Sequence, residues 1–355
     1  MTATMRAFVI NGVGETAVVQ KPIPEPGPEE AVVRTTAALI CTSDVHTVKG
    51  ALPVEPGRTL GHESVGVVHE LGSAVSGFAV GQRVAVNAVT PCYRCSYCQR
   101  GFTSQCGGPL GGYRYTAQID GNMAEYFIVP AAAANLTAIP DDVTDAQAVY
   151  TCDMLSTGFM GVEHAHLQFG ETVAVFAQGP VGLSATMGAH LMGAGQIIAV
   201  ESRPERQELA RRFGADVVID HTDGDPVEQI MDLTGGVGID AAIEAFGFPE
   251  TFEACVRVTK AGGRVSNIGY HGENPAPLQL PLDAMGLGMN DKAIHTGLCP
   301  GGSERMTRLL RLLQSGRIDP TPMTTHTFTF DDVSRAFDMM TTKEDGIIKP
   351  LITFG

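Results

Sequence analysis

Hydrophobic and polar positions follow two different rhythms along this chain, and the change falls near residue 155. Before it, short apolar runs are broken by Gly and Pro: Arg6–Ile10, Ala31–Ala38, Ser64–Leu71, Gln82–Asn87 and Glu125–Val129. Runs of this length, bounded by turn residues, predict the strands of an irregular β domain. From Glu171 the rhythm becomes strand then helix, with strands at Thr172–Phe176, Ile197–Val200, Val217–Ile219, Ile239–Ile243 and Arg264–Ile268 and helices opening at Pro180 and after Pro204. Such alternation predicts a parallel sheet with crossover helices. A charged helix follows from Ser303 to about Ser315. The text then returns to strands at Thr324–Phe330 and Ile347–Phe354 around a short helix at Asp331–Met340. This last part is expected to rejoin the first domain, so that the α/β class domain is an insertion: residues 157–299, within a β domain of residues 1–156 completed by 300–355. No internal repeat or low-complexity tract interrupts the pattern.

A chain of 355 residues exceeds what one core organises, so two domains with a ligand cleft between them are expected. With 44% hydrophobic and 18% charged residues the composition is that of a globular protein. A formal net charge of -15 argues against a nucleic-acid partner, whose affinity depends on Lys and Arg at phosphates. No apolar run is long enough to span a bilayer and Met1–Arg6 lacks the apolar core of a signal peptide, so the expectation is a cytoplasmic protein without a membrane partner. Of eight cysteines, four lie between Cys92 and Cys106, which in a reducing compartment points to metal and not to disulfides.

That cluster, Cys92-x2-Cys95-x2-Cys98-x7-Cys106, has room to wrap one tetrahedral ion, and four protein ligands leave no open position. A structural zinc is the reading. An iron–sulfur cluster is the rival, but ferredoxin runs continue with x3-Cys-Pro after the third cysteine. A second, scattered constellation comprises Cys41-Thr-Ser43-Asp44-Val-His46, then Gly61-His62-Glu63, then Asp153. It offers one thiolate, one imidazole and one carboxylate, the inventory of a catalytic zinc with a free fourth position. A third motif is the strand Thr172–Phe176 running into Ala177-Gln178-Gly179-Pro180-Val181-Gly182, where backbone amides at a helix start could meet a pyrophosphate. Ala177 replaces the first glycine of the usual fingerprint. Glu201, at the end of the next strand, stands where a carboxylate accepts hydrogen bonds from the adenosine ribose.

These residues carry a resemblance. Gly61-His62-Glu63-Ser-Val-Gly66, Cys41-Thr-Ser-Asp-Val-His46, Asp153-Met-Leu-Ser-Thr157-Gly158 and Gly297-Leu-Cys-Pro-Gly-Gly302 resemble the zinc-containing medium-chain alcohol dehydrogenases, and among them the bacterial secondary alcohol dehydrogenases, essentially end to end. The resemblance implies a GroES-like β domain with an inserted Rossmann domain, a homotetramer, and reversible hydride transfer between small alcohols, secondary over primary, and NAD, with NADP possible. It makes Cys41, His62 and Asp153 the catalytic zinc ligands, Glu63 a ligand that binds or releases, and Asp44 the carboxylate orienting His62. Many relatives carry Cys where Asp153 stands; Ser156-Thr157-Gly158 fixes the register on Asp153 and not on Cys152. Some secondary alcohol dehydrogenases lack the four-cysteine cluster, whereas the wider family has it.

The resemblance further implies that Ser43 takes the alcohol proton and His46 passes it towards solvent. Ser202, Arg203, His221, Ile268, Gly269, Tyr270 and Lys343 would border the cofactor, with Lys349 reaching the pyrophosphate. Ala88, Tyr113, Leu298 and Cys299 would surround the alcohol, Tyr113 standing where a relative has Trp. Two alternatives stay open. One is a polyol or formaldehyde-type dehydrogenase of the same architecture; the other is a zinc-stapled binding protein without catalysis, with metal at the cysteine loop only.

Overall fold

The computed structural model describes residues 3–273 and 276–355. The chain divides into two units, Met1–Ser156 with Cys299–Gly355, and Thr157–Leu298. Cys299 thus belongs with the first unit and Leu298 with the second.

In the first unit, a three-stranded antiparallel sheet orders Glu15–Pro22, Thr4–Gly12 and Arg58–Thr59. A larger sheet orders Thr324–Thr329, Lys349–Thr353, Ala31–Leu39, Ser64–Leu71, Arg83–Val86 and Leu136–Ala138, and Tyr126–Val129 also pairs with Ala31–Leu39. The late strand enters the middle of this sheet, with Leu351 opposite Leu39 and Ile352 opposite Ala38. Its place follows from burial: Ile352 packs in one cluster with Phe8, Ile40, Leu60 and Met123 from the early part of the chain and Phe337 and Met340 from the late helix. Half-buried and exposed positions alternate in the edge strand Thr324–Thr329, whereas Ala31–Leu39 in the interior is apolar and buried along most of its length.

In the second unit six parallel strands run in the order Val217–Ile219, Gln196–Val200, Thr172–Phe176, Ile239–Glu244, Thr259–Asn267 and Ala293–Thr296. Numbered along the chain this is 3-2-1-4-5-6, the doubly wound dinucleotide order, which reverses between Thr172–Phe176 and Ile239–Glu244. Those two strands are buried on both faces, as crossover helices require. Four helices, Pro180–Leu191, Pro204–Arg212, Pro226–Leu233 and Pro249–Val258, each open on proline, whose fixed φ and missing N–H suit a first helical turn. Among the described residues no helix is long and apolar enough to cross a membrane.

Candidate functional site

The scattered constellation converges within the first unit. Cys41 ends the path from Ala31–Leu39 and caps the helix Thr42–Val48, its backbone N–H donating to Asp44 Oδ2 at 2.9 Å. Gly61, at φ +92°, turns the chain into His62; a side chain there would meet Met123 at 2.8 Å. Asp153 lies just before the helix Met154–His164. One ligand atom from each of Cys41, His62, Glu63 and Asp153 falls within 4.8 Å of the others. His62 Nε2 lies 3.4 Å from Asp153 Oδ2 and 3.8 Å from Glu63 Oε1, while Nδ1 lies 3.3 Å from Asp44 Oδ1. Cys152 stays outside the group, its fully buried thiol on the carbonyl of Ser64 at 3.4 Å.

The set carries more negative than positive charge, and its cations respond. Burial opposes a charged His62, but Tyr113, Asp44 and Asp153 outweigh it and hold the imidazole well above its ordinary pKa. Burial pushes Glu63 up, opposed by Lys349. Glu63 and Lys349 are both fully buried, with Nζ 2.5 Å from Oε1, and Glu63 Oε2 has no hydrogen-bond partner among the described residues. Lys349 therefore does not stand at a pyrophosphate as the resemblance implies. It is sealed in the sheet and neutralises Glu63.

An anionic pocket of one thiol, one imidazole and two carboxylates, one oxygen of which is unpartnered, fits a divalent zinc ion. The four cysteines of the loop likewise bring their sulfurs within 4.8 Å of one another, and all are free thiols. Backbone N–H groups of Cys92, Arg94, Cys95 and Gly107 donate to these sulfurs at 3.3–3.4 Å, and the Arg114 guanidinium donates to Cys106 Sγ at 3.3 Å. Backbone N–H groups of Cys98 and Gly107 lower the Cys95 thiol to about 6, whereas burial pushes Cys98 up to about 12. Donors aimed at sulfur stabilise thiolates, and four thiolates fit a closed zinc site.

Around the first set, Ser43 Oγ lies 3.3 Å from His62 Nε2. His46 is half-buried on the same helix. Tyr113 Oη lies 3.1 Å from His62 Nδ1, and burial raises its pKa, so the phenol keeps its proton. Ala88 is buried, its N–H donating to the carbonyl of Cys152. Cys299 is buried with Sγ 3.8 Å from Asp153 Oδ1. Lys343 caps the late helix and donates to Thr42 Oγ1 at 3.3 Å. Leu298, in the other unit, is half-buried.

The dinucleotide turn is built as its glycines require. A Cβ on Gly182 would lie 1.9 Å from the carbonyl oxygen of Ala177, whereas one on Gly179 would meet only Arg206 Nη1 at 4.0 Å. The first position tolerates no side chain, and the second leaves room for a ligand. Ala177 takes φ +69°, the conformation that glycine usually supplies. Gln178 is buried, tied to Val175 and Thr186, and Pro180 and Val181 begin the helix. Glu201 turns back into this loop, accepting from the N–H groups of Gln178, Ser202 and Arg203 at 3.1, 2.9 and 3.0 Å. Ser202 and Arg203 are half-buried, His221 and Tyr270 are exposed, and Ile268 is buried.

Two residues that the sequence reading overlooks help build this end of the unit. Arg206 puts Nη1 3.6 Å from Glu201 Oε2; burial lowers its pKa, against the pull of Glu201, and its Nε lacks a partner among the described residues. Its signal was weak: a cation in the first turn after the acidic strand end. Glu244 accepts from Phe246 N, Gly247 N and Thr251 Oγ1 at 3.0, 2.8 and 2.7 Å, and its carbonyl receives the N–H groups of Ile268 and Gly269. A lone acid closing an apolar strand was the available clue.

Comparison with known proteins gives the class. Residues 27–141 match the alcohol dehydrogenase GroES-like domain and residues 180–315 the zinc-binding dehydrogenase domain. The chain belongs to the zinc-binding alcohol dehydrogenase family, and it is an oxidoreductase of that family. It is 46% identical to an alcohol dehydrogenase of Cupriavidus necator, covering 98% of each chain. It is 43% identical to an NADP-dependent isopropanol dehydrogenase of Thermoanaerobacter brockii, over 98% of this chain and 99% of that one. The alcohol dehydrogenase TADH from Thermus sp. ATN1 superposes with a TM-score of 0.90 at 32% identity, over 99% of this chain and 100% of that one.

Proposed function

We propose that the protein reversibly oxidises small alcohols, secondary over primary, with NAD favoured over NADP. The observation that carries this is the convergence of Cys41, His62, Glu63 and Asp153 on one buried point, with the Ser43 hydroxyl beside it. Cys41, His62 and Asp153 would hold a catalytic zinc, with Glu63 as an exchangeable ligand. Cys92, Cys95, Cys98 and Cys106 would hold a structural zinc. Zinc bound at the first set supplies a Lewis acid that acidifies and orients the alcohol hydroxyl.

The chain's own groups do the rest. Asp44 fixes the N-terminus of the Cys41 helix and faces His62 Nδ1, leaving Nε2 for metal. Ser43 accepts the substrate proton and His46 relays it outward. A nicotinamide dinucleotide would supply the acceptor for the hydride, with both its electrons, that leaves the substrate carbon as the alcohol becomes a ketone or aldehyde. Ala88, Tyr113 and Cys299 of the first unit would border the substrate. Gln178 to Gly182, Glu201, Ser202, Arg203, His221 and Ile268 to Tyr270 of the second unit would border the cofactor; Lys349 serves Glu63 instead. Names of relatives that act on isopropanol support the secondary preference. Eight cysteines with no disulfide among the described residues suit a reducing compartment, which supports a cytoplasmic location. A homotetramer rests on the resemblance.

The test is a panel of isopropanol, ethanol, sorbitol and the glutathione–formaldehyde adduct, each with NAD and NADP. The highest kcat/KM is expected for isopropanol; sorbitol or the adduct leading would assign a different substrate class. In the same assay Ser43→Ala should lower kcat by about 10²–10⁴-fold at unchanged zinc content.

A further inference from the structure

The two nitrogens of His62 face different surroundings. Nε2 faces Asp153, Glu63 and Ser43, the last at 3.3 Å. Nδ1 faces Asp44 Oδ1 at 3.3 Å and Tyr113 Oη at 3.1 Å. A carboxylate can only accept, so an Nδ1 beside Asp44 carries a ring proton, and with zinc held by Cys41, His62 and Asp153 the lone pair would be the one on Nε2, towards the other ligands. Of the two groups facing that proton, the Tyr113 hydroxyl is the nearer.

Asp44 is already committed elsewhere. Its Oδ2 takes the Cys41 N–H at 2.9 Å, which leaves Oδ1 to reach Nδ1 at a distance beyond the usual range for such a bond. A single long contact holds a ring weakly against rotation. The Tyr113 oxygen supplies a second acceptor, and its ring stands edge-on to the imidazole, with centroids 5.3 Å apart at 65°. An acceptor and a packing surface thus come from one side chain.

We infer that Tyr113 is a positioning residue for the metal ligand His62: it shares with Asp44 the proton on Nδ1 and so fixes the tautomer and orientation that bind zinc. This rests on the proposed zinc site at Cys41, His62 and Asp153. It gives Tyr113 a task beyond bordering the alcohol, one that neither Phe nor any other side chain without an acceptor at that point can perform.

The test uses holoenzyme and a chromophoric chelator that reports released zinc, comparing wild type with Tyr113→Phe. Two zinc ions per subunit are expected in both. One should leave Tyr113→Phe about 10–100-fold faster than wild type, the range seen when partners of a ligating histidine are removed; the cysteine-loop zinc should leave at an unchanged rate. Cobalt placed at the faster site should show a shifted visible spectrum, which a packing change remote from the metal would not produce. Asp44→Asn combined with Tyr113→Phe should be non-additive in release rate, because both act on one proton. If both ions leave Tyr113→Phe at wild-type rates and only KM for alcohols changes, the inference is overturned and the zinc site stands. If wild type carries zinc at the cysteine loop alone, the site reading itself falls.

Discussion

Lys349 and Glu63 form an ion pair with no exposure on either side, a rare arrangement because removing two charges from water costs several kcal/mol per ion. The pair is sustained by position: Lys349 begins the strand Lys349–Thr353, which pairs with Ala37–Leu39 on one side and Thr324–Thr329 on the other. Lys349→Met should therefore strand Glu63, lowering unfolding free energy by about 3–5 kcal/mol in chemical denaturation. Glu63→Gln added to Lys349→Met should recover most of that loss; equal stability of the single and double variants would show that Glu63 has found another partner. None of this was legible in the sequence, since 286 positions separate the two residues. The residues of the metal group were legible because Cys and His are scarce, at 8 and 10 of 355, and because the family resemblance singled out Glu63 and Asp153 among the 39 acidic residues. Sequence could not give the Tyr113 contact, which depends on where a loop folds and not on spacing.

At the scale of elements, the most constrained piece is the turn from Phe176 to the helix Pro180–Leu191. Gly182→Ala would drive a methyl into the Ala177 carbonyl, so the turn must open and its amides lose their aim at a phosphate. NADH titration by fluorescence should show Kd rising at least tenfold while the metal content holds; unchanged affinity would mean the dinucleotide binds elsewhere. The strands were mostly legible from apolar runs between turn residues. The helices Thr42–Val48, Met154–His164, Pro226–Leu233 and Pro249–Val258 were not, although Pro226 and Pro249 mark the starts of the last two as plainly as Pro180 and Pro204 mark those of helices that were. Thr259–Asn267 was recognised only from Arg264 because Gly262, at φ +71°, and Gly263 break its apolar text. Glu15–Pro22 was missed because it is mostly exposed or half-buried, with no buried face to reveal a period.

For the whole molecule, the two metal sets make separable demands. Elemental analysis should find two zinc ions per subunit. Cys106→Ser should lose one together with much thermal stability, and Asp153→Ala should lose the other together with activity while the melting temperature stays near wild type. A fully active protein with one zinc would contradict the closed cysteine site. Cofactor choice would be set in the second unit, where the Glu201 carboxylate accepts from the backbone amides of Gln178, Ser202 and Arg203. That charge should repel a 2′-phosphate, so wild type should prefer NAD, and Glu201→Gly should shift kcat/KM towards NADP by about tenfold to a hundredfold, or roughly 1.4–2.7 kcal/mol. Wild type already favouring NADP would show that Arg203 and Arg206 prevail over Glu201.

The late entry of Lys349–Thr353 into the middle of the first sheet also sets a timetable for synthesis. The ribosome delivers Cys41, His62, Glu63 and Asp153 early, then makes all of Thr157–Leu298, and only afterwards supplies the strand that pairs with Ala37–Leu39 and the ammonium that neutralises Glu63. Until then the nascent sheet has an open edge and a carboxylate that cannot be buried alone. Chains stalled behind a C-terminal linker too short to bring Lys349 out of the exit tunnel should be protease-sensitive across residues 31–71, and those behind a linker long enough to release it should be resistant. Acquisition of the catalytic metal would then be one of the last events in the making of the protein, at the point where the chain closes on its own beginning.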